Sequence, residues 1–272
     1  MPHLALHFLG SPLIELQGVP VTIVRRKAVA LLAYLAVTKR RQQREHLASL
    51  FWPDGDAAKR AGSLRSALWE LNQSIGDEWL DADRASLGLR VGASLWVDVD
   101  RFEQLLASPR AAGGDRGAAR PARALAQVAE AVALYRGDFL QALSLRDCQE
   151  VVQWQSSQSE RLRRQVMTAL PRIIVHLGEA GEIAPAIPYA ERLTRIDPLN
   201  EEAHRQLIRL YAQGGRRADA LRHYEAWAAL LHDELGVAPA EPTRHLYEAI
   251  KANRDITGFV VEPEASPFAS PP

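Results

Sequence analysis

The sequence predicts a mainly α-helical protein with a small β part, in which a winged helix-turn-helix domain precedes an α-helical, tetratricopeptide-like repeat domain. Three observations lead there. Short Leu/Ile/Val-rich runs punctuated by Gly and Pro are followed by three helix-period segments and a period-2 hairpin, all before residue 100. Beyond residue 100 almost every segment has helical periodicity. Two of those segments match at an offset of 34 residues. At about 100–200 residues per domain, a chain of 272 residues accommodates this division. We place the winged helix at 1–99, the helical repeats at 100–255 and a disordered tail at 256–272.

The elements follow in order. Residues 4–9, 12–17 and 20–24 read as strands of a small antiparallel sheet, with turns at Gly10-Ser11-Pro12 and Gly18-Val19-Pro20. Val29, Leu32, Ala33 and Ala36 mark a helix over 26–38. A basic link, Thr38 to Gln43, leads to a short helix at 44–51, stopped by Trp52-Pro53-Asp54-Gly55. A third helix spans 57–75, with Asp56 as N-cap and Gly76 past its end. Trp79-Leu80-Asp81 and the alternation of Leu87, Leu89 and Val91 form a hairpin around the turn 82–86, and Trp96 to Val99 is one more strand. The Gly- and Pro-bearing stretch 108–121 reads as a loose connection. Helices are expected at 122–136, 148–178, 183–195, 200–213, 217–235 and 241–252. In the repeat, Ala184, Ala186, Ile187 and Glu191 match Ala218, Ala220, Leu221 and Glu225, and Gly181 matches Gly215. Pro188 departs from the pattern and should bend its helix. The stretch 257–272 carries four prolines and no periodicity.

Composition removes several classes. Hydrophobic residues at 47% and charged residues at 24% are those of an ordinary globular protein, which excludes fibrous and fully disordered readings. With 33 basic and 33 acidic residues there is no polybasic coat, so any nucleic-acid contact must come from charge placed on one face. Residues 1–100 hold 12 Lys/Arg and 11 Asp/Glu, a net +1, so few phosphate contacts or dimerisation would have to supply affinity. A lone Cys148 rules out a disulfide framework or a Cys-based zinc site. The N-terminus lacks the pattern of a signal peptide, and no run of about 18 apolar residues exists, so a cytoplasmic protein without membrane contact is expected. Phosphate-loop, HExxH and G-x-S-x-G patterns are absent and the eight His are scattered, so neither an enzyme nor a cofactor is expected. The aromatic residues Tyr135, Trp154, Tyr189, Tyr211, Tyr224 and Trp227 read as repeat core.

The candidate site is the outer face of helix 57–75. Leu64, Leu68, Leu71 and Ile75 make its inner stripe. Opposite them lie Lys59, Gly62, Ser63, Ser66 and Glu70, flanked by Arg60 and Arg65. Small polar side chains let a backbone approach a major groove, and long basic arms reach phosphates or guanine edges. The same face also suits an ordinary solvated helix. The short helix before it and the hairpin after it favour double-stranded DNA. Arg84 at the hairpin turn either enters a minor groove or pairs with Asp83. The candidate DNA-binding set is therefore Lys59, Arg60, Ser63, Arg65, Ser66 and Arg84. Arg25-Arg26-Lys27 and Lys39-Arg40-Arg41 with Arg44 are further basic runs, read as solvated or as backbone contacts.

Several separated motifs carry a family resemblance: Lys27 to Ala36, Arg44-Glu-His-Leu47, Leu50 to Asp54, Ser63 to Leu68, Asp98-Val-Asp100-Arg-Phe102, Leu134 to Phe139, Asp197-Pro198 and Glu234-Leu-Gly236. In this order, over about 1–252, they resemble the Streptomyces antibiotic regulatory protein type of transcriptional regulator. The resemblance implies an OmpR-type winged helix joined to a bacterial transcriptional activator domain. It further implies promoter binding at direct repeats, a possible homodimer, and contact with RNA polymerase or another protein through the helical repeats. After Leu68 the family usually shows several arginines, where this chain has Glu70, Asn72 and Gln73. A helical-repeat scaffold whose winged helix no longer binds DNA is the alternative reading.

Overall fold

In the computed structural model, residues 4–90, 92, 94–107 and 119–256 are described, and the chain divides into two compact units, Met1–Ala169 and Leu170–Pro272. The first unit opens with β1 (Leu4–His7), β2 (Leu13–Leu16) and β3 (Val19–Val21), an antiparallel meander. Helix α1 (Arg26–Thr38) follows, with Ala28 to Ala33 all buried, so it is the central helix of the winged fold. Next come β4 (Gln42–Gln43), α2 (Arg44–Phe51) and α3 (Ala57–Ile75). A 3-10 turn at Asp77–Trp79 leads to the hairpin of β5 (Leu80–Ala82) and β6 (Ser86–Leu89).

Two features of this sheet structure differ from the sequence reading. The link before α2 contributes β4, which pairs with β6 to complete a three-stranded sheet of order β4-β6-β5. The strand expected at 96–99 is β7 (Leu95–Val97), and it lies parallel to β1, so the first sheet is mixed, with order β3-β2-β1-β7. Helix α4 (Asp98–Ala107) begins at once, because Asp98 and Asp100 place acid in its first turn, where the helix dipole favours it.

Asp98 ties this unit together. Its side chain is 1% exposed; Phe8 N–H donates to Oδ1 at 2.9 Å and Leu9 N–H to Oδ2 at 2.8 Å. Burial pushes its pKa up, and the two backbone donors, His7 and Arg136 pull against that. The strand end held in this way is stitched to the segment after α5 (Ala119–Leu134). Arg136 N–H donates to Leu9 O, Leu140 N–H to Phe8 O, Gly10 N–H to Asp138 O and Gln141 N–H to Gly10 O. Gly10 has φ +115, a conformation that favours glycine, and an added Cβ there would lie 3.2 Å from Arg136 Cβ.

The connection expected over 108–121 is outside the described residues as far as 118, and α5 has begun by Ala119, with Pro121 tolerated in its first turn. Helix α6 (Gln149–Glu179) starts in this unit. Trp154 on α6 packs edge-on against Tyr34 of α1 and Phe139, with ring centroids 4.9 and 5.6 Å away. Tyr135 meets Phe102 of α4. Tyr135 and Trp154 therefore serve the core of the first unit and not the repeats.

The second unit contains the end of α6, then α7 (Ile183–Ile196), α8 (Glu201–Gln213), α9 (Arg217–Leu235) and α10 (Glu241–Lys251). The 34-residue offset is visible in its turns. Gly181 and Gly215 both have φ +75; Glu182 N–H donates to Leu177 O and Arg216 N–H to Tyr211 O, each at 2.8 Å. Tyr211 donates its hydroxyl proton to Glu191, and Tyr247 does the same to Glu225, the residue 34 positions on. Burial and the Glu191 bond push the Tyr211 hydroxyl up to about 12. Pro188 removes one ladder donor without ending α7. The expected tail from Thr257 onward lies outside the described residues.

His204 is 5% exposed and stacks between His223 and Trp227, with centroids 5.0 and 4.9 Å away. Its Nε2 faces Pro198 O at 3.0 Å and its Nδ1 faces His223 Nε2 at 2.9 Å. A carbonyl only accepts, so Nε2 carries the proton and Nδ1 accepts from His223. Burial, then His223, pushes the His204 pKa down to about 4.

Two outcomes are expected. Replacing Asp98 with Ala orphans two buried N–H donors and should lower the stability of the first unit by about 2–4 kcal/mol in denaturant unfolding. Because the folded pKa of His204 is depressed, its contribution is present above about pH 6.5 and is lost as pH falls through about 4. The second unit should therefore melt at lower temperature across that window, and a His204 titration by NMR near 6.5 would overturn the stacked arrangement.

Candidate nucleic-acid interface

Helix α3 is set by its start and its inner stripe. Asp56 Oδ1 accepts from Lys59 N–H at 2.8 Å, a capping bond, and Gly55 before it has φ +100. An added Cβ at Gly55 would sit 2.8 Å from Lys59 Cδ. Leu64, Ala67, Leu68, Leu71 and Ile75 are buried against α1 and α2, so the opposite side faces outward.

That outer side carries two neighbouring hollows. One, of about 620 Å³, is lined by Arg25, Lys59, Gly62, Ser63, Arg65, Ser66 and Trp69. The other, of about 330 Å³, brings Arg44 of α2, Arg60 and Arg65 of α3 and Arg84 of the hairpin turn together around Ser49 and Glu45. Arg65 borders both, so the two hollows hold all six candidate residues between them.

The ion pairs sort the basic residues. Arg41 bonds Asp81 and Asp83, Lys39 meets Asp100 at 2.8 Å, and Lys27 donates to Phe51 O. By contrast, Arg44, Lys59, Arg60, Arg65 and Arg84 have no ion pair or hydrogen bond from their side chains among the described residues. Arg84 is not paired with Asp83, because that carboxylate is committed elsewhere. Asp83 Oδ1 accepts from Ala85 N–H and Ser86 N–H, and these bonds hold its pKa below the usual carboxylate range.

Glu70 does not face outward as a free charge. It accepts from Val24 N–H at 2.8 Å and Arg25 N–H at 3.0 Å, and Arg25 lies 3.4 Å from its second oxygen. Arg25 also donates to Ser66 O. The acid that breaks the arginine pattern after Leu68 thus holds the chain entering α1.

Sequence reasoning missed Trp69, 63% exposed on the same hollow as Ser66. The signal was its spacing: position 69 falls three residues after Ser66 and seven after Gly62, on the outer stripe. In the sequence Arg44 is only part of a basic run; the fold brings it beside Arg60 and Arg84. Among the described residues, no group of three or more His, Cys, Asp or Glu is placed to hold a metal, and no helix is long and apolar enough to cross a membrane.

The chain is similar to known regulators over most of its length. The bacterial transcriptional activator domain family matches residues 97–251. The transcriptional regulatory protein EmbR of Mycobacterium tuberculosis is 26% identical over 254 residues, 89% of this chain, which spans 62% of EmbR. The transcriptional regulatory protein MoaR1 of the same organism is 24% identical over 251 residues, 89% of this chain and 77% of MoaR1. A solved structure of Mycobacterium tuberculosis EmbR in complex with a low-affinity phosphopeptide superposes with a TM-score of 0.62 at 24% identity, covering 94% of this chain and 67% of that one. It establishes the likeness of fold, a winged helix followed by helical repeats.

Gly62 offers a test of this face. It sits inside α3, and an added Cβ would meet only Arg65 Nη2 at 3.8 Å, an ordinary contact. Nothing among the described residues requires glycine there. Gly62→Ala should therefore stabilise the first unit by roughly 0.5–1 kcal/mol in thermal or denaturant unfolding.

Proposed function

This chain belongs to the bacterial transcriptional activator domain family, and from that membership we propose that it is a sequence-specific DNA-binding transcriptional regulator, an activator, that reads the major groove with α3. The relatives named above are transcriptional regulators, not enzymes. In this reading residues 1–99 are the DNA-binding module. Lys59, Arg60 and Arg65 reach phosphates or guanine edges, while Ser63 and Ser66 let the helix backbone approach the bases. Arg84 enters the flanking minor groove or meets a phosphate. The helices over 100–255 carry dimerisation and contact with RNA polymerase or another protein, since stacked helix pairs present an extended surface.

One observation carries this reading. Five cations from α2, α3 and the hairpin converge on one face without internal partners, while Arg25, Lys39 and Arg41 are all neutralised. Their convergence from three elements, with the short helix before α3 and the hairpin after it, suits a polyanion better than a merely solvated face. The scaffold alternative drew its support from the near-neutral charge of the first hundred residues and from Glu70. Glu70 is committed to the backbone of Val24 and Arg25, so it no longer argues for that alternative, while the near-neutral charge is common to both readings.

The test starts by selecting duplexes from a random library with the full chain, then measuring affinity across salt. Lys59→Ala and Arg84→Ala should each lower the salt slope by about 1, and loss of a base contact at Arg65 should cost about 1–3 kcal/mol at one position of the site. Ser63→Glu, facing the groove, should abolish the shift. If no duplex is enriched, or all four variants bind as the parent does, α3 does not read DNA.

A further inference from the structure

A second basic site lies beside the first. A cleft of about 570 Å³ opens between the start of α1, the Ser63 and Ser66 side of α3, and the loop 144–147 that precedes α6. Four basic side chains line it, Arg25, Arg26 and Lys27 from α1 and Arg146 from the loop, against a single acid, Asp147. Two of the four are already committed, Arg25 to Glu70 and Lys27 to the carbonyl of Phe51. The other two are available. Arg26 makes one long bond, 3.4 Å to Ser144 O, and Arg146 makes none among the described residues.

We infer that this cleft binds a phosphorylated small molecule, with its phosphate held between Arg26 and Arg146. Three features support that ligand class. Two guanidinium groups brought to one cleft repel each other unless an anion lies between them, and planar guanidinium forks match phosphate oxygens. The surroundings add to that repulsion: α1 starts with no side-chain cap and no acid in its first turn, so the helix dipole and the cations have the same sign. Trp52 and Ala67 supply an apolar wall, with Lys27 Nζ 5.9 Å from the Trp52 ring centre, which suits a ligand carrying a ring. The volume falls in the range of small-molecule sites, about 300–1,000 Å³, and is large enough for a mononucleotide.

The binding site is independent of the DNA reading, but its consequence rests on that reading. Ser63 and Ser66 line both this cleft and the outer hollow of α3, so a bound ligand and a DNA backbone would contend for one wall. The same phosphate chemistry has two sources, a free ligand or the DNA backbone itself, and the experiment separates them. Calorimetry on the full chain without DNA uses pyrophosphate and ATP as probes. Saturable binding of either probe, weakened about tenfold by Arg26→Ala and by Arg146→Ala but not by Arg40→Ala, supports the site. Arg40 is an exposed cation of the same unit outside the cleft, so it controls for net charge. No saturation by about 10 mM of either probe, or equal weakening by Arg40→Ala, overturns the proposal. So does a pattern in which Arg146→Ala weakens DNA binding alone, because the cleft then serves the DNA backbone. Circular dichroism of each variant keeps a folding defect from being read as lost binding.

Discussion

The first unit depends on one buried carboxylate. Asp98 has both oxygens occupied by the N–H groups at the end of β1, and it stands at the junction of β7 and α4. Through it, the first strand of the chain is fixed to an element about 90 residues later. Once Phe8 and Leu9 are held there, their own carbonyls are positioned to accept from Leu140 and Arg136. One side-chain interaction thereby specifies where the segment after α5 crosses the sheet, and with it the loop that ends at Cys148. A buried charge of this kind is costly to desolvate unless it is hydrogen-bonded, as both oxygens of Asp98 are.

The helices were legible from the sequence because their apolar residues recur at helical spacing, and the inner stripe of α3 is the one that spacing gives. The meander and the hairpin followed from Gly and Pro punctuation. The parallel pairing of β7 with β1 was not legible, because a three-residue strand next to a helix start carries too little pattern to declare a partner about 90 residues away. Nor was β4 legible, since Gln42 and Gln43 have no strand-like composition and are recruited only by β6. The Asp98-Val-Asp100 motif was recognisable as a string, but its physical role needed the fold.

For the candidate interface, the sequence supplied the residue types and the fold supplied their bookkeeping. Spacing alone put Glu70 among the outer residues of α3; only its bonds to Val24 and Arg25 separate it from them. Spacing put Arg84 beside Asp83, and the turn removes that pairing by giving the carboxylate to Ala85, Ser86 and Arg41. In the second unit the offset of 34 was legible in small residues and in Glu191 and Glu225, whereas the tyrosines that bond those two carboxylates are not matched by it: Tyr211 and Tyr247 are 36 apart, not 34.

The clamp on the hairpin turn has a consequence for timing. Arg41 grips Asp81 and Asp83 on the turn that bears Arg84, and Asp83 in turn locks the backbone of that turn. The turn is therefore braced by its own bonds and by Arg41. On the proposed DNA reading, what Arg84 would give up on meeting a partner is the rotational freedom of one side chain on a braced base, not the disorder of a loop. On that same reading only the side chain can adjust to a poorly shaped surface, and selectivity at that position would follow the partner's shape.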